Sequence, residues 1–348
     1  MKNSKFKTKL MKRKNYWKGK NGPLLIAEIG GNHEGNFNYA KKMTKLAISS
    51  GVDAVKFQLY KGSSLVSPIE SIDRFKHFSK FELSKKHHIE LAKICKKSGV
   101  DYLASVWDLE MLSWIDTYLK YYKIGSGDLT AYPIIENLAK TGKPIILSTG
   151  LSHLKEIKST IKFIQKHNKI YKKKTNLAVL QCTSSYPTSD EEVNLNVIKT
   201  LKKETNLTVG YSHHNKGDLA LLAAYLTGAD ILEFHFTNSR KNKTFRDHKI
   251  SLTPIETKNL IKKIKKINKL LGNKDKEATK SEIKSKNIVS FRRAVYSKKY
   301  LKKGDKIKKE DLIYLRPNRG IDARDYKKVL GKKVNKNTIA FRRLSIKK

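Results

Sequence analysis

VGYSHHNKGDLALLAAYLTGADILEFHFT, residues 209–237, is the stretch on which the fold turns. Its two ends are brief β-branched and aromatic runs, and the DLALLAAYL between them reads as a helix. The unit is strand–helix–strand, and a right-handed crossover lays its strands parallel with both C-terminal ends on one side. Neighbouring strands about 4.8 Å apart would bring His214 and His235 close enough to share one ion. Side chains alternate along a strand, so Ser212 points the way His214 points, and Glu233 the way His235 points. One face therefore offers two imidazoles, a hydroxyl and a carboxylate. Two strand-end histidines can also be ordinary core or surface residues, so their meaning depends on further ligands and partners elsewhere in the chain.

Working outward, six earlier runs read as strands: LLIAEIGG (24–31), AVKFQLY (54–60), DYLASVW (101–107), YYKIGS (121–126), PIILSTG (144–150) and LAVLQCTS (177–184). Segments of helical periodicity separate them, among them a helix from about Tyr39 to Ser50, ELSKKHHIELAKICKKSG, AYPIIENLAKTG and LKEIKSTIKFIQKH. Strands alternating with helices over about 250 residues predict an α/β fold of the (β/α)₈ TIM-barrel kind. A doubly wound open sheet is the rival, but it calls for a glycine-rich phosphate turn, and the sequence has no GxGxxG. Barrel enzymes carry their chemistry at the C-terminal strand ends. Here those ends hold Glu28, Lys56 with Gln58, Ser105, Lys123 with Ser126, Ser148, Thr183 with Ser184, Ser212 with His214, and Glu233 with His235. A barrel built only for stability needs no polar residue at the top of every strand.

The remaining organisation follows from shifts in composition. Residues 1–20 read as a basic tail, 21–272 as the barrel and 273–286, polar and charged, as a linker. Residues 287–348 change character to short runs (RRAVYSKKYL, LIYLRP, TIAFRRLSI) around turn signals, predicting a small, mostly β domain. Alone, about 60 residues make a marginal core, so this domain is expected to dock on something.

The formal charge is +44, carried by 64 lysines against 11 arginines. Such a field can mean a nucleic-acid or anionic partner, and a non-enzymatic basic nucleic-acid-binding protein is the alternative from another class. The lysines, however, lie throughout, many on polar helix faces such as NLIKKIKKINKLL. Neither the arginine forks that read bases nor basic residues interleaved with aromatics occur. The reading is therefore no nucleic acid, with a field that would attract phosphorylated substrates. No apolar run is long enough to span a membrane, so no membrane partner is expected either. The basic N-terminus lacks a signal-peptide apolar region, and the two cysteines, Cys95 and Cys182, form no disulfide framework. A cytoplasmic protein is expected.

Within the barrel, an inward lysine is costly unless paired. Lys56 and Lys123 could snorkel or neutralise Glu28 and Glu233. Together with Ser126, Ser148 and Ser212 they make a cradle for phosphate or carboxylate, and the glycines of KIGSG and STG let backbone N–H groups approach an anion. His213 points away from His214. His77, His87, His88, His153 and His167 read as solvated, and Cys182 as a small core residue.

AEIGGNHEG (27–35), AVKFQLY (54–60), KIGSGDL (123–129), ILSTG (146–150), CTSSYPT (182–188), GYSHH (210–214), ILEFHFT (231–237), DHKISL (247–252) and LRPNRGI (315–321) together resemble the sialic acid synthase family. Its members condense phosphoenolpyruvate with an acylated amino sugar to give nonulosonic acids, and their fold is a barrel followed by a small antifreeze-like (SAF) domain. The resemblance implies that His214 and His235 ligate a divalent ion, most often Mn²⁺, with Mg²⁺ or Co²⁺ as alternatives. It places phosphoenolpyruvate against Lys56, Lys123, Ser126, Ser148, Ser184 and Ser212, with Ser105 a weaker match. It places the sugar against Glu28, Tyr186, Asp247 and Arg316, with Gln58 and Asp128 at polar positions nearby, and makes Glu28 the candidate base. A domain-swapped homodimer is implied, in which the arginine reaches the partner's barrel. The expected reaction is condensation with N-acetylmannosamine or a related acetamido sugar. Legionaminate or pseudaminate synthesis from a diacetamido sugar is the alternative, and KIGSGDL leans to the neuraminate and legionaminate branches. A synthase of deoxy-sugar phosphates would need more basic residues for a second phosphate. The chain departs from the family pattern in three places. The loop from Lys61 to Leu83 lacks the asparagine that members bring to the sugar, His213 stands where Asp is common, and Ser184 where Asn is common.

Overall fold

The computed structural model describes residues 16–346. The chain divides into two compact units, one ending at Leu271 and one beginning at Gly272. A short strand β1 (Lys18–Gly19) pairs antiparallel with β2 (Gly22–Glu28). From β2 the sheet continues in parallel through β3 (Ala54–Leu59), β4 (Asp101–Val106), β5 (Tyr122–Ile124), β6 (Ile145–Ser148), β7 (Leu177–Cys182), β8 (Thr208–His213) and β9 (Ile231–His235). The pairing of β9 back onto β2 closes it, with Glu28 in register with His235. These eight parallel strands with surrounding helices are the barrel the alternation predicts.

Period-two patterning sorts the strand residues into two layers. Val55, Phe57 and Leu59 face the helices, as do Tyr102 and Ala104, Val179, and Tyr211. Leu24, Ile26, Ala54, Leu103, Ile146, Ala178, Leu180 and Ile231 instead fill the lower interior of the barrel. The next inward positions toward the C-terminal ends are Glu28, Lys56, Ser105, Lys123, Ser148, Ser212 and Glu233, all buried. Seven of the eight barrel strands are thus apolar at the base and polar at the top, and in β7 the matching inward position is Cys182.

The strand ends are shorter than the sequence predicts, because their last residues turn out into loops. Two further differences come from tertiary packing. Tyr16 to Lys20, assigned to the basic tail, form part of the barrel floor. Trp17 is fully buried against the interior cluster, and its Nε1 donates to the Lys174 carbonyl at 2.7 Å. The Asp53 carboxylate accepts from the backbone N–H groups of Lys20 and Leu25, fixing this strap across the base. The rest of the tail lies outside the described residues. His88, expected at a solvated surface, is fully buried on the inner face of its helix (Lys85–Lys97), with Nδ1 2.7 Å from the Tyr102 hydroxyl.

The second unit carries a two-stranded antiparallel ladder of β10 (Ala294–Ser297) with β11 (Leu312–Leu315). Bridges from Tyr296 to Arg343 and Leu301 to Thr338 bring in the third sequence run. Val295, Leu301, Ile307, Leu312, Val329, Val334 and Leu344 form its core. The expected linker contains one short helix, Lys280–Lys284, capped by the Thr279 side chain.

Buried histidines make the barrel acid-sensitive. Burial pulls His33 down to about 4, and burial with the neighbouring His33 and His87 pulls His88 down to about 3. Both stay neutral in the folded chain while the unfolded chain protonates near 6.5. Their contribution is therefore complete above pH 6.5 and is lost as pH falls toward those values, at about 1.4 kcal/mol per pH unit for each group. We predict that the midpoint of thermal unfolding drops from pH 6.5 to 5, and that His88→Gln shows a shallower drop over this range. Equal slopes for the two proteins would refute the role of His88.

Candidate active site

The polar tops of the strands converge on a buried set of four charges. Lys56 Nζ lies 2.9 Å from Glu28 Oε2 and 3.8 Å from Glu233 Oε1, and donates to Ser105 Oγ at 3.2 Å. Lys123 Nζ lies 3.6 Å from the same Glu233 oxygen and donates to Ser148 Oγ at 2.7 Å. Ser212 donates to Glu233 Oε1 at 3.1 Å, and Gln58 Nε2 to Glu28 Oε1 at 3.2 Å. The register explains the assembly, since Glu28 pairs with Lys56, Ser105 with Lys123, and Ser212 with Glu233.

This environment drives the two carboxyls apart. Burial raises Glu28 above the usual carboxylate range against the pull of Lys56, and the Glu233 charge adds to the rise. Burial also works against Glu233, but Lys123, Lys56 and the Ser212 hydroxyl outweigh it and hold Glu233 below its ordinary value. For Lys56, burial is outweighed by Glu233 and Glu28, so its ammonium is favoured. Burial depresses Lys123, and Glu233 offsets this only in part. The set suits an anionic ligand: two ammonium groups face one firmly ionised carboxylate.

Beside it stand the paired histidines, with ring centroids 5.3 Å apart. The Thr183 carbonyl, 2.7 Å from His214 Nδ1, can only accept, so Nδ1 carries the proton and Nε2 is left for a ligand. Burial, reinforced by His214 and Lys56, holds His235 well below its ordinary value and therefore neutral. Its Nδ1 is buried without a hydrogen-bond partner, 3.6 Å from Asp247 Oδ2. Burial works against a charged His214, but Cys182 and the Thr183 carbonyl outweigh it and raise His214 above its ordinary value. A divalent ion would thus bind the neutral His235 and displace a proton from His214. Among the described residues no group of three or more His, Cys, Asp or Glu is placed to hold a metal. These two histidines would thus leave most coordination positions to water or substrate.

Ser126 and Ser184 sit on the loops after β5 and β7, at the rim. Gly150 N–H donates to Ser126 Oγ at 3.0 Å. A Cβ at Gly150 would lie 2.5 Å from Ser184 Oγ and 2.9 Å from Ser126 Oγ, so this glycine lets the two hydroxyls meet. Asp128 follows Ser126, and burial, partly offset by the Trp107 indole, pushes it up to about 6. Tyr186 lays its ring 4.2 Å from that of His214. Arg316 lies in the second unit, exposed, its guanidinium 5.8 Å from the Phe291 ring centroid.

Several participants escape a reading of the sequence. Cys182, which reads as plain core, faces the barrel interior with Sγ 3.7 Å from His214 Nδ1. His213 does point away, buried beside Tyr211. His77 is exposed, as the sequence suggests, and its ring also packs against those of Phe81 and Phe245. Arg246 lies over the Tyr186 ring at 4.5 Å. It does leave a signal, for an arginine directly before Asp247 stands out in a chain so biased to lysine.

A model of the NeuB family matches residues 43–276, and one of the SAF domain matches residues 292–340. The chain belongs to the NeuB family. This NeuB protein is 39% identical to the N,N'-diacetyllegionaminic acid synthase of Campylobacter jejuni, over 90% of this chain and 96% of that one. It is 31% identical to the human N-acetylneuraminate-9-phosphate synthase, over 77% of this chain and 76% of that one. Among solved structures, the N-acetylneuraminic acid synthetase of Leptospira borgpetersenii superposes with a TM-score of 0.69 at 30% identity, covering 77% of this chain and 91% of that one. Like these relatives, the NeuB protein described here is an enzyme, of the transferase type.

We predict that Gly150→Ala folds normally yet binds phosphoenolpyruvate about fivefold or more weakly, the loss expected when one or two hydrogen-bond donors are displaced. Calorimetric titration beside thermal unfolding checks this, and unchanged affinity would show that Ser126 and Ser184 do not hold the donor.

Proposed function

We propose that this enzyme condenses phosphoenolpyruvate with N-acetylmannosamine or a related acetamido sugar, giving a nonulosonic acid and phosphate. The observation that carries this reading is the buried set of Lys56, Lys123, Glu28 and Glu233, roofed by serine hydroxyls and bordered by the paired histidines. The 39% identity to a diacetyllegionaminic acid synthase favours a diacetamido acceptor as the second reading.

Lys56 and Lys123 hold the carboxylate and phosphate of the donor, with Ser126, Ser148, Ser184 and Ser212 adding hydroxyl donors. Ser105 orients the Lys56 ammonium. Carbon C3 of the enol forms a bond to the aldehyde carbon of the open-chain sugar, whose oxygen takes a proton, and cationic character develops at C2. Glu28, whose carboxyl burial raises above its ordinary range, takes a proton from the water that adds to C2. The tetrahedral intermediate then loses phosphate by C–O cleavage. Gln58 fixes the Glu28 carboxyl, and Tyr186, Asp247 and Asp128 border the space for the sugar. A divalent ion held by His214 and His235, with manganese first in expectation, would supply Lewis acidity toward the aldehyde oxygen.

The test is phosphate release from phosphoenolpyruvate across a panel of acetamido and diacetamido six-carbon sugars, with added metals. We predict that His214→Ala and His235→Ala abolish turnover, a loss of at least about 10³-fold. Full wild-type activity after exhaustive chelation would remove the ion from this reading.

Arg316 enters as a residue supplied in trans by a homodimer. It stands in LRPNRGI, before Pro317 and the turn at Gly320, and its planar fork can hold sugar hydroxyls in a way lysine cannot copy. We predict that Arg316→Ala and His214→Ala, each inactive, recover part of the activity when mixed under conditions of subunit exchange. Mixed dimers then contain one intact site. No recovery despite proven exchange would refute a partner-supplied arginine.

A further inference from the structure

One edge of the barrel mouth carries a side chain that the reaction above does not use. Arg246 leaves 66% of its side chain exposed, yet it is held at two points. Its Nε donates to Asp247 Oδ1 at 3.3 Å, and its guanidinium carbon lies 4.5 Å from the centroid of the Tyr186 ring. Both partners lead directly to the paired histidines. The Tyr186 ring is 4.2 Å from His214, and Asp247 Oδ2 is 3.6 Å from His235 Nδ1. The two Nη groups make no hydrogen bond to any described residue.

The loop itself is anchored by the preceding residue. A Cβ at Gly31 would lie 2.6 Å from Phe245 Cζ, so the Phe245 ring sits against bare backbone. Phe81 stacks on the same ring at 5.1 Å, and His77 at 5.7 Å. His77 comes from the helix Ile72–Lys80, in the loop after β3 that lacks an asparagine. It lies close enough to Arg246 and Asp247 that both charges act on its imidazole.

An exposed arginine usually swings freely, and ordering it for a ligand costs side-chain entropy. Here the stacking and the Asp247 bond impose the order before any ligand arrives. We propose that Arg246, with His77 beside it, determines specificity for the acceptor sugar by donating from its free Nη groups to carbonyl or hydroxyl oxygens of that sugar. This rests on the function proposed above. Asp247 already meets the guanidinium charge, so the fork offers directed donors rather than an uncompensated cation. Of the lysines in reach of this loop, Lys243 is committed to Glu34 at 3.1 Å, while Lys80, whose charge also reaches His77, is a cation that a phosphate could recruit. The pairing of Arg246 with Asp247 nevertheless favours neutral acyl carbonyls and hydroxyls over a phosphate.

The experiment compares the wild-type enzyme with Arg246→Ala, Arg246→Lys and His77→Ala in steady-state kinetics. The acceptors are N-acetylmannosamine, its 6-phosphate and diacetamido sugars of the legionaminate type. For a neutral acceptor, Arg246→Ala should raise KM about tenfold, the equivalent of one charge-assisted hydrogen bond, while KM for phosphoenolpyruvate stays within about twofold. Arg246→Lys should not restore it, and His77→Ala should give a smaller rise of the same kind. Equal losses for both substrates would mean a merely structural residue, and full rescue by lysine would mean charge without geometry. Preference of the wild type for the phosphorylated acceptor, lost in Arg246→Ala, would mean phosphate recognition. Each of these overturns the inference while leaving condensation intact, whereas a wild type that releases phosphate with none of the sugars overturns the proposed function and this inference together.

Discussion

Everything in the site depends on how four charges are buried inside a closed sheet. Lys56, Lys123, Glu28 and Glu233 are each at most 5% exposed. Moving one such ion out of water costs several kcal/mol after relaxation, and pairing seldom returns more than the cost. As a device for stability the cluster is therefore a poor choice, and aliphatic side chains of similar volume would serve better. Its value lies in pre-organisation. In the proposed reaction, ammonium groups already fixed by carboxylates and serines inside the barrel meet an anion with little reorganisation, which is where electrostatic stabilisation is worth most.

The barrel meets that cost by dividing its interior. Below the charges, Leu24, Ile26, Leu103, Ile146, Leu180 and Ile231 fill the lumen, and Trp17 with Tyr121 closes its base. The same strands carry apolar residues at their starts and polar ones two or four positions later, so one alternation builds both plug and site. The strap from Tyr16 to Lys20 completes the plug, and the Asp53 carboxylate ties it to the first barrel strand.

This division explains what is legible in the sequence. Strand periodicity fixes which face each residue takes, so Lys56 with Gln58, Ser212 with His214, and Glu233 with His235 fall together by alternation alone. The succession of strands and helices implies the barrel, and closure sets the neighbours. Features set by contacts between distant segments are not legible. His88 lies on a polar-looking helix and is buried among Phe57, Tyr102 and Trp114, with the Tyr102 hydroxyl as its partner across the layer. Trp17 stands in a run of basic residues whose composition says solvent, yet it packs in the interior cluster against Tyr121 and donates to the distant Lys174 carbonyl. Cys182 has the character of a core residue, and only the turn of the β8 end toward Thr183 brings His214 over it. Arg246 and His77 come from loops after different strands and meet through Phe245, a contact that no periodicity encodes.

The two carboxylates show how register becomes chemistry. Glu28 lies on the strand where the barrel closes, so one residue is in register with Lys56 on one side and His235 on the other. It therefore borders both the lysine–serine set and the paired histidines, where the proposed reaction calls for a group that moves a proton. Glu233 is next to that position but is gripped by Lys123, Lys56 and Ser212, which keep it ionised. Glu28 has Lys56 and the weaker amide of Gln58, and it feels the charge of Glu233. Unequal pairing rather than different residue type thus separates the two, holding Glu233 below and Glu28 above the ordinary carboxylate range.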